Sequence, residues 1–307
     1  MNIILAQPRG FCAGVVRAVE IVERALALYP PPIYVLHEIV HNRHVVDGLR
    51  ARGAIFVEAL ASVPAGAVCI FSAHGVASAI VAQAKQRQLQ VIDATCPLVT
   101  KVHLQAQRYV EQGYELIIIG HQGHPEVEGT RGCVNGAVHV LSTEQEVHTL
   151  VTHAAKLAYV TQTTLSVDDT REVIQALTQR FPNIQGPALS DICYATQNRQ
   201  NAVRQLSDKM DVLIVVGAHN SSNSNRLREV GKQSGVATYL IENAEDLQQE
   251  WFNNTHLIGI TAGASTPEIL VTEVLARLQQ WGAATIEQMA GVNETTTFKI
   301  PLELVRR

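Results

Sequence analysis

Short apolar runs of strand length recur along the chain, each closed by a polar or sulfur-bearing residue and followed by a stretch of helical periodicity. That alternation restricts the fold to an α/β protein with mainly parallel sheets. The first third contains IYVLHEIVHN (33–42), VCIFSAHG (68–75) and VIDATCP (91–97), with His41, His74 and Cys96 at the tips. The second third repeats the arrangement with ELIIIGHQGHPE (115–126), AYVTQTTLS (158–166) and SDICYAT (190–196), whose tips are His124 with Glu126, Thr163 with Thr164, and Cys193. The last third offers DVLIVVGAHNSSNSN (211–225) and LIGITAGASTPE (257–268) but no cysteine, and NIILAQPRGFC (2–12) at the start of the chain is the strand-plus-cysteine unit that completes it. The expected architecture is three small α/β domains about a pseudo-threefold axis. Cysteines converge at its centre, and the strand C-terminal ends, where open parallel sheets bind ligands, face a shared cavity.

A length of 307 residues suits two or three such domains, and 47% hydrophobic with 17% charged residues describes a globular chain. The net charge of −4 and the absence of a basic run argue against nucleic acid as a partner. The N-terminal apolar run is too short for a signal peptide, and no later one approaches the ~18 residues of a membrane span. A cytoplasmic protein with reduced cysteines is expected.

HEIVH at 37–41 matches the H-E-x-x-H pattern of zinc proteases, which needs both histidines on one helical face. Upstream, Ile33-Tyr34-Val35-Leu36 reads as a strand; downstream, Asn42 reads as the N-cap of a helix carrying Val45, Val46 and Leu49 and ending near Gly53. The motif therefore straddles a junction, and His41 is expected at a helix N-terminus, a place that favours anions.

Of the five cysteines, Cys69 lies in an apolar run and reads as a small buried hydrophobe, while Cys133 sits in an expected loop with no chemical role. Cys12, Cys96 and Cys193 each stand beside a helix start or turn, where N–H groups stabilise a thiolate. With no C-x-x-C anywhere, zinc-knuckle and ordinary ferredoxin spacings are absent. Three thiolates from three domains could hold three irons of a [4Fe–4S] cube and leave the fourth open, a Lewis acid connected to a source of electrons; the alternative is three structural cysteines. The polar tips His41, His74, His124, Ser221, Ser222, Asn223 and Ser265 could donate to a diphosphate, although each histidine alone also fits a plain structural role. Neither a phosphate loop nor a G-x-G-x-x-G turn occurs, so electrons are expected from outside.

The segments PRGFCAGV, HEIVHNRHVV, FSAHGV, DATCPLVTKVH, GHQGHPEVEGT, TQTTLSVDDT, DICYATQNRQ, NSSNSNRL and TAGAST, in unbroken order from residue 3 to about 281, resemble those of the 4-hydroxy-3-methylbut-2-enyl diphosphate reductase (IspH/LytB) family. The resemblance implies a cloverleaf of three α/β domains around one [4Fe–4S] cluster held by Cys12, Cys96 and Cys193. The domains would span 13–96, 97–193 and 194–281, with strand 1–12 completing the third and 282–307 following as a C-terminal segment. The resemblance assigns diphosphate binding to His41, His74 and His124 with Ser221, Ser222, Asn223 and Ser265. Proton delivery falls to Glu126 near Thr163, with Thr164 beside them. It also implies a small allylic diphosphate as substrate and an external electron donor such as flavodoxin or ferredoxin, with no role for nucleic acid or membrane. Two rivals remain: a noncatalytic iron–sulfur sensor, and an iron–sulfur dehydratase that needs no electrons.

Overall fold

The structure is a computed structural model that describes residues 1–188 and 190–305. In chain order it runs β1 (Asn2–Leu5), α1 (Ala13–Leu28), β2 (Ile33–Leu36), α2 (Arg43–Ala51), β3 (Ala54–Val57), β4 (Val68–Phe71), α3 (Ser78–Gln86), β5 (Gln90–Asp93), α4 (Pro97–Glu111), β6 (Glu115–Ile119), α5 (Pro125–Gly132), β7 (Val138–Leu141), α6 (Glu144–Thr149) and β8 (Leu157–Thr161). It continues with α7 (Val167–Arg180), α8 (Tyr194–Ser207), β9 (Val212–Val216), α9 (Ser222–Gln233), β10 (Ala237–Ile241), β11 (Leu257–Ala262), α10 (Glu268–Gln280) and β12 (Thr285–Gln288). The strands form three sheets, ordered β10-β9-β11-β1-β12, β3-β2-β4-β5 and β7-β6-β8, and every pairing is parallel. No helix among the described residues is long and apolar enough to cross a membrane.

The chain separates into two compact units. The first comprises Met1–Val15, His41–Val45 and Tyr194–Thr297 and holds the five-stranded sheet. Here β1 joins β11 in register Ile3↔Ile258, so the first strand lies in the same sheet as β9, β10 and β11. Alternate residues of β9 point to opposite faces. Val212, Ile214 and Val216 pack with Leu270, Val271, Val274 and Leu278 of α10, whereas Leu213 and Val215 pack with Ala202, Val203 and Leu206 of α8 and Leu227 and Val230 of α9. Both faces are covered, which is why β9 reads as an unbroken apolar run. Each such aliphatic side chain contributes roughly 1.5–3 kcal/mol on burial.

The second unit, Val16–Val40, Val46–Cys193 and Phe298–Arg307, holds the other two sheets. In the three-stranded sheet, Ile117 and Ile119 face α6 and α7 through Val147, Val173 and Leu177, while Leu116 and Ile118 face Val102 and Ala106 of α4 and Val127 of α5. SDICYAT departs from expectation: among the described residues, no strand runs into Cys193 from 182 to 192. The third parallel contribution there is one isolated bridge, Ala158↔Gln185, and Asp191 is turned inward to accept the Thr161 N–H at 3.2 Å. A buried carboxylate committed to a neighbouring strand end is incompatible with a continuing ladder.

Candidate active site

At the zinc-protease look-alike, residues 37 to 41 lie between β2 and α2, outside any helix. His37 adopts the left-handed conformation (φ 61°) and its Nδ1 lies 3.1 Å from the Glu58 carboxylate. Asn42 caps α2, its Oδ1 accepting the Val45 N–H at 3.1 Å. Two histidines on one helical face are absent, so H-E-x-x-H is coincidental here.

In the first unit, His41, Ser221, Asn223 and Ser265 form one hydrogen-bonded group. Ser265 Oγ donates to the His41 carbonyl at 3.0 Å, and the Asn220 side chain approaches His41 Nδ1 at 3.5 Å. Asn223 Oδ1 accepts the Ala264 N–H and its Nδ2 donates to Ser221 Oγ, both at 2.7 Å. Because Ser221 Oγ accepts from Asn223, its own hydrogen points elsewhere, and Asn223 keeps a second Nδ2 hydrogen. Ser221 is the N-cap of α9 and Ser222 its first residue, and the first turn carries no acid. These are donors around a helix N-terminus, an arrangement suited to an anion. Cys12 joins the group through its N–H, which donates to the Ala264 carbonyl at 3.1 Å.

The second unit brings His74 and His124 together, their rings edge to face with centroids 6.0 Å apart. Glycines at 129 and 132 let α5 approach the turn after β4: a Cβ on Gly129 would stand 3.2 Å from the Gly75 carbonyl oxygen, and one on Gly132 2.3 Å from Ala77 Cβ. His124 is the N-cap of α5, its Nδ1 accepting the Glu126 N–H at 3.2 Å, and His74 Nδ1 lies 3.3 Å from Ser72 Oγ.

Glu126 sits in the first turn of α5 with only 3% of its surface exposed. Its carboxylate accepts the Thr163 N–H at 2.6 Å and the Thr163 hydroxyl at 3.0 Å. Burial pushes its pKa up to about 7; the Thr163 hydrogen bonds oppose that rise and the Asp191 carboxylate adds to it. A carboxyl group poised near neutrality can give up and regain a proton under physiological conditions. The Thr163 carbonyl in turn accepts the Cys193 N–H at 3.1 Å, and the Cys96 N–H donates to the Ala73 carbonyl beside His74 at 3.0 Å. Two groups escaped the sequence reading. Gln162, buried, accepts the His121 N–H and donates to Thr164 Oγ1 at 2.9 Å, and Asp191 lies beneath the Cys193 turn. A glutamine at a strand end looks like an ordinary polar terminus, and only its inward orientation reveals it.

The cysteines divide into two kinds. Cys69 and Cys133 are buried, and desolvation lifts both thiols to about 11, so they stay protonated. Cys133 follows α5 as its C-cap, in a turn as expected, and packs in an apolar cluster. Cys12, Cys96 and Cys193 are partly exposed and not disulfide-bonded, and α1, α4 and α8 begin directly after them. None of those helices has an acid in its first turn, a feature they share with α2, α3 and α9. Cysteine sulfur is the ligand an iron–sulfur cluster takes, and the two thiols that burial keeps protonated do not suit it; among the described residues no three His, Cys, Asp or Glu stand together as a metal-holding group.

The fold is a parallel α/β protein whose first unit carries a polar, donor-rich helix N-terminus and whose second unit carries a buried acid that can hold a proton near neutral pH. Residues 3–279 match the family described as LytB protein. Named relatives called 4-hydroxy-3-methylbut-2-enyl diphosphate reductase are 58% identical over 99% of this chain and 98% of the relative in Acinetobacter baumannii (strain ATCC 17978), and 59% identical over 100% and 98% in Burkholderia pseudomallei (strain 1026b). The solved E-1-hydroxy-2-methyl-but-2-enyl-4-diphosphate reductase of Plasmodium falciparum is 40% identical with a TM-score of 0.94, covering 99% of this chain and 96% of that one. A second solved structure, of (E)-4-hydroxy-3-methyl-but-2-enyl diphosphate reductase, has 35% identity and a TM-score of 0.65 over 91% of this chain and 100% of its own. The chain belongs to the LytB family.

Proposed function

We propose that this chain reduces (E)-4-hydroxy-3-methylbut-2-enyl diphosphate to isopentenyl and dimethylallyl diphosphate, the last step of the methylerythritol phosphate route to isoprenoids. The substrate takes up two electrons and two protons and releases its hydroxyl as water. Cys12, Cys96 and Cys193 would hold a [4Fe–4S] cluster, which would supply the electrons and Lewis acidity. The observation that carries the reading is Glu126, a buried acid with a pKa near 7 tied through Thr163 to the turn that bears Cys193.

Hydroxide is a poor leaving group, and the Glu126 proton lets the oxygen depart as water. Thr163 holds the carboxyl in place through two hydrogen bonds, and Thr164 is braced by Gln162. His41, His74, His124, Ser221, Ser222, Asn223 and Ser265 hold the diphosphate; charge-assisted contacts of this type contribute about 1.5–3 kcal/mol each. The three lobes are 13–96, 97–193 and 194–281 with strand 1–12. The electron donor is an external carrier such as flavodoxin or ferredoxin, and the protein works in the cytoplasm. The test is consumption of reduced methyl viologen by protein purified without oxygen, with product analysis. The expected result is oxidation only when substrate is present, at two electrons per product. Product formed without reductant consumption points to a dehydratase, and no consumption or product at all points to a sensor.

A further inference from the structure

Each cysteine assigned to the cluster is preceded by backbone carbonyls that bond to one cation, and the three cations follow a common rule. Arg17, Lys101 and Arg199 all lie in the second turn of the helix that starts directly after one of these cysteines: α1 after Cys12, α4 after Cys96, α8 after Cys193. None of them binds the turn in front of the cysteine that begins its own helix. Arg17 Nη1 donates to the Thr95 carbonyl at 3.0 Å and Nη2 to that of Asp93 at 3.4 Å, just ahead of Cys96, while its Nε holds the Lys299 carbonyl at 2.8 Å. Lys101 Nζ donates to the Ser190 carbonyl at 3.3 Å and pairs with Asp191 at 3.5 Å, just ahead of Cys193. Arg199 donates from Nε and Nη2 to the Gly10 carbonyl at 3.0 and 2.7 Å and to that of Phe11 at 3.4 Å, just ahead of Cys12. The helix led by the first cysteine thus secures the turn of the second, the helix of the second secures the third, and that of the third secures the first.

We infer that Arg17, Lys101 and Arg199 are positioning residues that form a cyclic set of latches, each fixing the turn before a different cluster cysteine so that this turn is ordered before iron binds. The inference rests on the cluster reading proposed above. A carbonyl held by a cation fixes the orientation of the peptide planes leading into the cysteine, and hence the direction of its Cα–Cβ bond. Ordering a turn in advance removes that entropic cost from cluster binding.

The cysteine amides report on the latches directly, because those of Cys12, Cys96 and Cys193 donate to the Ala264, Ala73 and Thr163 carbonyls. Arg17→Gln, Lys101→Gln and Arg199→Gln, with the conservative Arg17→Lys and Lys101→Arg, are made in the full chain. Amide hydrogen exchange is measured on chain stripped of iron, and chelator-driven iron loss, with the reduced-state electron spin resonance spectrum, on chain purified without oxygen. Each glutamine variant should speed exchange at its own cysteine (Cys96, Cys193 and Cys12 respectively) and leave the other two unchanged. Iron loss should quicken about tenfold, the loss of one charge-assisted hydrogen bond, the spectrum should alter, and Lys101→Arg should restore both. Arg199 is 1% exposed and pairs with Glu294 at 3.1 Å, so if its glutamine variant does not fold, the two other latches decide the matter. Exchange that rises equally at all three cysteines, or at none, overturns the inference. Wild-type chain without iron would overturn the cluster reading, and the exchange pattern of that same chain would still decide whether the latches exist.

Discussion

Replacing Glu126 by glutamine removes a charge from a buried place without changing its shape, so it separates what the carboxylate does for catalysis from what it does to stability. The amide can keep both contacts: its oxygen accepts the Thr163 N–H, and its NH2 donates to the Thr163 hydroxyl once that rotates. In the wild type, burial lifts the pKa from 4.5 to about 7. For an acid raised in the folded state the sign is definite. Below 4.5 both folded and unfolded chains hold the proton, between 4.5 and 7 only the folded chain does, and above 7 neither does. Stability therefore falls as pH rises through that window, by about 3 kcal/mol at 1.36 kcal/mol per unit. The Gln variant has no such group and escapes the fall. Urea unfolding of both proteins at pH 4.5 and pH 8.5 should show the variant gaining on the wild type by up to ~3 kcal/mol at the higher pH, while turnover drops by about 10²- to 10⁴-fold and substrate binding persists. A stability difference independent of pH, or turnover close to normal, would refute the account of Glu126 as a buried acid that delivers a proton.

Three further outcomes are expected. Iron measured per chain in the five Cys→Ser variants should be lost or labile for Cys12, Cys96 and Cys193 and retained for Cys69 and Cys133, whose thiols are held protonated near 11. His41→Ala should raise KM with iron content unchanged, and Glu38→Gln should leave turnover nearly intact, because residues 37 to 41 are not helical; zinc released by His37→Ala would contradict this. Gly132→Val should push α5 off Ala77, destabilising the chain by roughly 1–3 kcal/mol as overpacking does and weakening substrate binding through the displaced His124, measurable as a raised KM.

What could be read from the chain and what could not follows from how far each feature reaches. β9 and β6 are visible because both faces of a parallel sheet are buried, and five consecutive apolar residues then have few other readings. β12 is the opposite case. TIEQ is exposed at all four positions and has no alternation to betray it, and it is a strand only because β1 offers a free edge at Asn2–Leu5. The turn before Cys193 was misread for a related reason: Ile192 suggests a strand end, but the neighbouring Asp191 spends its hydrogen-bonding capacity on Thr161. In the candidate site, residue types at strand ends pointed to the histidines, serines and cysteines because those positions are set locally. The pKa of Glu126 was not legible, since it depends on a partner, Thr163, delivered by a different strand and on burial that no window of sequence records. Arg17, Lys101 and Arg199 are the extreme case. Each stands in a helix where a cation ordinarily reads as a solvated surface residue, and each binds carbonyls, groups every residue possesses and no sequence pattern can mark. Side-chain contacts to backbone are thus the part of a site least visible from sequence, which is why the cysteines proposed as ligands could be nominated from their motifs and the residues proposed to hold their turns could not.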